Sequence, residues 1–335
     1  MVLGVSPRAG VLAAIGNTPL VELNQVSPPG IRLFAKLEGL NPGGSAKDRS
    51  SLAMLEAGIH EGMIRPNTVV VESSSGNMGI GLAQACCRLG LRLICVMDSK
   101  TTPHNIRLMR AYGAELVVID QPDSPARELL PARLAKVQEL LRTVPNAYWP
   151  NQYENSANSR AHRDQTAREI VDELGTFPNA VLSPVSTCGM LGGLLQYFRA
   201  QGALTRVCAV DLVGSVVFGG APAPRIIPGL GSSRESSLVT PSEVHEVIRV
   251  TDFDCVVGCR VLASREALVV GGSSGATFVA AFRSALDRFT GGIYVLIFPD
   301  RGERYLDTLF DDDWVEQHIS PMDRLNDAVK RYCNG

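Results

Sequence analysis

Strand-length apolar runs alternate with helix-length runs along most of this chain, and that alternation restricts the fold more than any other feature. Residues 68–72, 91–97 and 115–119 read as apolar strands, with helices over 78–89 and 104–112 between them. After a helical stretch around 132–142 the pattern resumes with strand 180–184, helix 189–200 and strand 207–210. Residues 17–24 and 31–38 read as short strands separated by the turn Pro28-Pro29-Gly30, and the last strand, 293–298, ends at Pro299-Asp300-Arg301-Gly302. Strands separated by helices join through right-handed crossovers, which predicts an α/β fold of two lobes, each with a wound, mostly parallel sheet. A chain of 335 residues is long enough for both. Residues 214–242, rich in Gly, Pro and Ser and without periodicity, read as a surface loop beside a site.

Composition narrows the possible functions. With 45% hydrophobic and 20% charged residues the chain reads as folded and globular rather than disordered. The 32 basic and 34 acidic residues nearly cancel, to a net charge of −2, so no field gathers nucleic acid or an anionic membrane. No apolar run reaches the roughly 18–20 residues of a membrane span, and Arg8 precedes only a short apolar patch at 11–15. The expectation is a cytoplasmic protein. Eight cysteines are spread through the chain without a CxxC pair. Cys86, Cys87 and Cys95 fall in apolar helix and strand patterns, and Cys255 and Cys259 flank Val-Val-Gly, so they read as reduced packing residues, with no metal site.

Four loops have unusual composition. In open α/β sheets ligands sit beyond the carboxyl ends of the strands, so a loop that follows a strand and opens a helix is a candidate site. The first loop is Asn41-Pro42-Gly43-Gly44-Ser45-Ala46-Lys47-Asp48-Arg49. Its glycines permit a tight turn, and Lys47 then lies in a first helical turn, where the helix dipole and desolvation lower an ammonium pKa. A neutral amine there can form an imine; taken alone, Lys47 also reads as a solvated helix-start lysine beside Asp48. The second, Ser73-Ser74-Ser75-Gly76-Asn77-Met78-Gly79, offers hydroxyls, amides and a helix N-terminus to a carboxylate or phosphate, or is a plain serine cap. The third, Pro184-Val185-Ser186-Thr187-Cys188-Gly189-Met190-Leu191-Gly192-Gly193, offers a run of amides and two hydroxyls to a phosphate, without the Gly-Lys-Ser/Thr of a P-loop. The fourth, Gly271-Gly272-Ser273-Ser274-Gly275, starts a helix with a hydroxyl able to address a ring nitrogen.

In this order the four loops closely resemble those of the fold type II pyridoxal-phosphate (PLP) enzymes, the family of cysteine synthase and cystathionine β-synthase, over residues 16–309. The resemblance implies a tryptophan synthase β-like fold, with residues 1–43 and 155–335 forming a large PLP-binding lobe and 44–154 a small mobile substrate lobe. It implies that Lys47 carries PLP as a Schiff base, that Asn77 contacts O3′ of the ring, that Ser186, Thr187, Cys188, Gly189 and Met190 hold the phosphate, and that Ser273 faces the pyridine nitrogen. It further implies that Ser74, Ser75, Gly76, Asn77 and Met78 grip the α-carboxylate of an amino-acid substrate, and that the protein is a homodimer. A serine beside the pyridine nitrogen does not hold it protonated as a carboxylate would, which favours β-elimination and β-replacement over transamination.

Cysteine synthases usually carry Gly-Thr-Gly-Gly-Thr in the phosphate loop; Ser186-Thr187-Cys188-Gly189-Met190 is bulkier and implies a remodelled nucleophile site. The segments 136–141, 147–153, 214–219 and 300–307 look most like the siderophore-pathway branch that makes N-(2-amino-2-carboxyethyl)-L-glutamate, a precursor of 2,3-diaminopropionate. That likeness implies a C–N bond-forming transferase acting on O-phospho-L-serine and L-glutamate, with an O-phosphoserine or O-acetylserine sulfhydrylase as the alternative. A phosphorylated substrate and a dicarboxylate both require cations, and Arg133 and Arg234 are the candidates, with Gln152, Tyr153 and Ser186 as further substrate contacts. Surface pairing for the arginines and packing for Tyr153 are the plainer readings, as is a small apolar filler for Cys188.

Overall fold

The computed structural model describes residues 10–120, 129–288 and 291–333, so the expectation placed on Arg8 lies outside the described residues. The strands are β1 (Leu20–Glu22), β2 (Ile31–Leu37), β3 (Val69–Ser73), β4 (Arg92–Asp98), β5 (Glu115–Ile119), β6 (Ala147–Tyr148), β7 (Ala180–Pro184), β8 (Arg206–Leu212), β9 (Glu246–Val250) and β10 (Gly292–Phe298). The helices are α1 (Lys47–His60), α2 (Asn77–Leu89), α3 (Pro103–Ala111), α4 (Leu129–Thr143), α5 (Ser156–Ala161), α6 (Arg168–Leu174), α7 (Gly189–Ala200), α8 (Asp252–Glu266), α9 (Gly272–Arg288), α10 (Asp312–His318) and α11 (Met322–Cys333). A π-helical turn, His162–Ala167, joins α5 to α6.

Two sheets form. The larger runs β1-β2-β10-β7-β8-β9 and is parallel except for β1; the smaller runs β5-β4-β3-β6 and is parallel throughout. Helices cover both faces of each, which is why the central strands are apolar runs rather than alternating ones. Leu33, Ala35, Tyr294 and Leu296 pack into one core of the larger sheet, while Phe34, Val295 and Ile297 pack into the other. In the smaller sheet Val70, Leu93 and Cys95 face one core and Val69, Val71, Ile94 and Val96 the other. Local chemistry sets the helix ends: Thr102 accepts from the Asn105 amide with Pro103 at the first helical position of α3, and Gly90 ends α2 in the left-handed conformation at φ 70.

The structure departs from the sequence reading in places. The strand expected over 17–24 shrinks to Leu20–Glu22, because Asn17 (φ 48) turns the chain so that its amide donates to Glu169. The fourth loop follows α8, not a strand, and is joined to the end of β10 by a Val270–Arg301 bridge. Cys86, Cys87, Cys95, Cys188, Cys208, Cys255 and Cys259 are free; Cys87 is exposed rather than packed, and the other six are buried. Among the described residues no helix is long and apolar enough to cross a membrane.

Candidate active site

Lys47 is the first residue of α1, and the loop before it is fastened to the end of β10: the Ala46 amide donates to Pro299 C=O at 2.8 Å, and Ser45 bridges Asp300. Gly44 adopts φ 85, and a Cβ on Gly43 would lie 2.5 Å from the Asp48 carboxylate that accepts the Gly43 amide, so both glycines are required by this turn. Burial lowers the Lys47 pKa, and only the neighbouring Cys188 thiol opposes the shift. Among the described residues no carboxylate pairs with the Lys47 ammonium. A desolvated, unpaired amine is the form an imine-forming lysine needs.

The serine loop follows β3. Ser74 Oγ accepts from the amides of Gly79 (2.9 Å) and Gly76 (3.3 Å), capping α2 from outside while its O–H remains a donor. Ser75 Oγ accepts from Arg133 Nη1 at 3.1 Å. A Cβ on Gly76 would meet nothing within 4 Å, so this side of the loop is open. The Met78 side chain points into the core, where its sulfur accepts from Ser51 Oγ, leaving its backbone for any ligand.

The third loop follows β7. Cys188 caps α7 at φ 67, a left-handed conformation normally filled by glycine, and burial pushes its thiol up to about 12, which suits the apolar-filler reading. A Cβ on Gly189 would meet Asn158 Oδ1 at 2.0 Å. Asn158 Nδ2 donates to Gln152 C=O (2.8 Å) and Thr187 Oγ1 (3.3 Å), joining this loop to the segment of Gln152 and Tyr153. Ser273 is buried in the first turn of α9, beside Ser274, whose Oγ is buried without a partner.

The candidate cations gather at Tyr153. Arg234 lies over its ring, 5.3 Å from the centroid, and ion-pairs with Glu154. Burial raises the Tyr153 pKa against the fields of Arg133 and Arg234. Arg133 Nη1 pairs with Asp98 at 3.3 Å, and its Nε is buried without a partner. Gln152 does not point its amide at this opening; Nε2 donates to Ser73 C=O at 3.1 Å.

Several residues of the site carry no local signal in the sequence. Glu72, buried at the end of β3, accepts from Trp149 Nε1 (2.9 Å) and from the amides of Ser73 and Gln152, and so fixes the 149–153 segment. Asp300 Oδ2 accepts from Asn77 Nδ2 (2.8 Å) and Tyr305 Oη (2.6 Å), and Arg304 donates to Asn77 Oδ1 and to Gly43 C=O. Asn158 is recognisable only through what it touches, and Asp300 and Arg304 fall in the 300–307 segment without a role that the sequence assigns.

The donor set fits PLP. An unpaired amine for its aldehyde, a strand-to-helix loop of amides and hydroxyls for its phosphate, and a helix-start hydroxyl for its ring nitrogen are all present, and the orphaned Ser274 Oγ and Asp300 Oδ1 mark polar atoms awaiting a partner.

The family described as "Pyridoxal-phosphate dependent enzyme" matches residues 11–300. An O-acetylserine dependent cystathionine β-synthase from Helicobacter pylori is 32% identical, with a TM-score of 0.83 over 90% of this chain and 97% of that one. A hydrogen sulfide-producing enzyme from Fusobacterium nucleatum is 33% identical, with a TM-score of 0.83 over 89% and 99%. An O-ureido-L-serine synthase is 30% identical, with a TM-score of 0.81 over 92% and 99%.

Proposed function

The chain belongs to the pyridoxal-phosphate dependent enzymes, in their cysteine synthase and cystathionine β-synthase branch, and on that premise we propose that this β-replacement enzyme joins O-phospho-L-serine to L-glutamate. The product is N-(2-amino-2-carboxyethyl)-L-glutamate, on the way to 2,3-diaminopropionate and siderophores, with release of phosphate. The observation that carries this reading is the meeting of Arg133 and Arg234 at Tyr153, beside Ser75. Sulfide adds no demand for a cation beyond that of the phosphate; a dicarboxylate amine does.

PLP, held by Lys47, Asn77, Ser273 and the 186–190 loop, supplies the electron withdrawal that acidifies Cα of the first substrate. Ser75, the Gly76 to Met78 amides and the α2 N-terminus orient that substrate's carboxylate. The Lys47 amine, once freed, takes the Cα proton, and the Cβ–O bond breaks as phosphate leaves. The glutamate amine forms the new N–Cβ bond and loses a proton, and Lys47 returns a proton to Cα. Arg133, Tyr153 and Arg234 bind the glutamate carboxylates. In this reading residues 44–154, which contain the four-stranded sheet, form a small lobe that closes on the larger one (1–43 and 155–335) and excludes water, and two copies of the chain form a homodimer.

The alternative, an O-phosphoserine or O-acetylserine sulfhydrylase, draws on the O-acetylserine dependent and hydrogen sulfide-producing relatives. Incubation with O-phosphoserine and either glutamate or sulfide, followed by phosphate release and product mass, separates the two. Product with sulfide alone sinks the glutamate assignment.

A further inference from the structure

Two of the four loops converge on one side chain outside them, and a third on its neighbour Asp300. Arg304 follows β10, and its guanidinium donates to Gly43 C=O in the Lys47 loop and to Asn77 Oδ1 in the serine loop. A Cβ on Gly44 would sit 2.5 Å from Arg304 Nη2, so the first loop closes directly over this group. Four residues earlier, Asp300 completes the arrangement. Its Oδ2 accepts from Asn77 Nδ2 and Tyr305 Oη, its backbone carbonyl accepts from Gly271, and its Oδ1 lies where a Gly271 Cβ would be, at 2.0 Å. Asp300 is 4% exposed.

The consequence for Asn77 follows from the chemistry of a carboxamide. Its oxygen only accepts and its nitrogen only donates. A guanidinium on one end and a carboxylate on the other therefore permit a single orientation of the amide, since a flip would set N–H against N–H and oxygen against oxygen. Of the two Nδ2 hydrogens, one is committed to Asp300 and one remains. We propose that Arg304 and Asp300 are positioning residues that lock the Asn77 amide, holding its remaining N–H on the phenolic oxygen of PLP while tying the Lys47, Asn77 and Gly271 loops to the end of β10. The proposal rests on the assignment of Asn77 to the cofactor.

The lock acts through Asn77, so its removal must be non-additive with removal of Asn77. Arg304→Lys keeps the charge and loses the fork that reaches two loops; Asp300→Ala removes the acceptor, and Asp300→Asn, which retains one acceptor oxygen, restores part of the effect. The readouts are the PLP dissociation constant by equilibrium dialysis, the pH midpoint of the visible band of the bound cofactor, and the thermal midpoint of the cofactor-free protein. Arg304→Lys and Asp300→Ala should each weaken PLP about tenfold and move the pH midpoint, as loss of a charge-assisted hydrogen bond to the amide does. In an Asn77→Ala background neither should move it further. Equal effects in both backgrounds, or loss confined to the thermal midpoint, overturn the lock. If Asn77→Ala alone leaves PLP affinity and the band unchanged, the assignment of Asn77 fails and the proposal goes with it, a result distinct from an Asn77 effect that Arg304→Lys does not share.

Discussion

Two cations stand two residues apart in the first turn of α1, and the chain treats them in opposite ways. Arg49 is fully buried and fully partnered: its guanidinium spans both oxygens of Glu38 and both oxygens of Glu169 at 2.6–2.7 Å, with Thr18 at 3.2 Å and Gln165 at 3.3 Å. Lys36 adds a further cation to Glu169 at 3.0 Å. Burial would push the Glu169 carboxyl up, but Arg49 outweighs it and brings it down to about 2, and Glu38 is likewise lowered against its burial. Lys47 has no such partner, and burial works on its ammonium almost unopposed. A charge that serves the fold is surrounded by its counterions, whereas an amine that serves chemistry is left to lose its proton.

Substitutions can break this contrast. The largest effect belongs to Lys47→Ala, which should abolish the visible band of bound PLP and lower turnover by at least about a thousandfold while leaving urea unfolding of the cofactor-free protein unchanged. Retained turnover overturns the role given to Lys47. Arg49→Met should do the reverse: Glu38 loses its ion-pair partner inside the protein and Glu169 keeps Lys36 alone, and stability should fall by about 3–5 kcal/mol in urea titrations. Arg133→Met, which removes a largely buried cation, should raise the KM for glutamate about tenfold and, through the lost bond to Ser75, the KM for O-phosphoserine by less, and Arg234→Met should do less because its side chain is one-third exposed. Equal effects on both substrates would detach these arginines from the amine donor. The smallest effect at neutral pH concerns His162, buried beside the Arg49 network, where burial brings its pKa down from 6.5 to about 3. The folded state then binds fewer protons than the unfolded one across that interval, so this residue's contribution is present above pH 6.5 and is lost as pH falls towards 3. His162→Gln should flatten the acid limb of stability against pH, as read from urea midpoints; an unchanged slope would mean the imidazole is not held neutral.

The parts of the fold legible in the sequence were those with local signals. The 68–72, 91–97 and 180–184 runs read as strands because both faces of a parallel sheet are covered, and the loops that follow β3 and β7 are marked by Ser and Gly directly after an apolar run. Helix α8 carries no such signal: Asp252-Phe253-Asp254-Cys255-Val256-Val257-Gly258-Cys259 has no clear amphipathic stripe, since α9 and α11 cover it on more than one side, and its glycine is there because a Cβ would lie 2.1 Å from Gly275 C=O. The same holds for the site. Lys47 and Ser273 sit in motifs, but Arg49 meets Glu169 across 120 positions and Asn77 meets Asp300 across 223, and no window of sequence contains either pair. Cys188 is legible as a departure from a glycine-rich loop; that it takes up a left-handed conformation, which favours glycine, is not.

The Arg49 network also decides which sheet the start of α1 is fixed to. Glu38 follows β2 and Glu169 lies in α6, so both grips on the start of α1 come from the side of the six-stranded sheet, while the remainder of α1 packs on α2 beside the four-stranded one. Lys47 is therefore fixed to the six-stranded sheet through Arg49 two residues on, and Asn77, at the start of α2, is fixed to the same side through Asp300, so the first turns of both helices share the frame of the larger sheet.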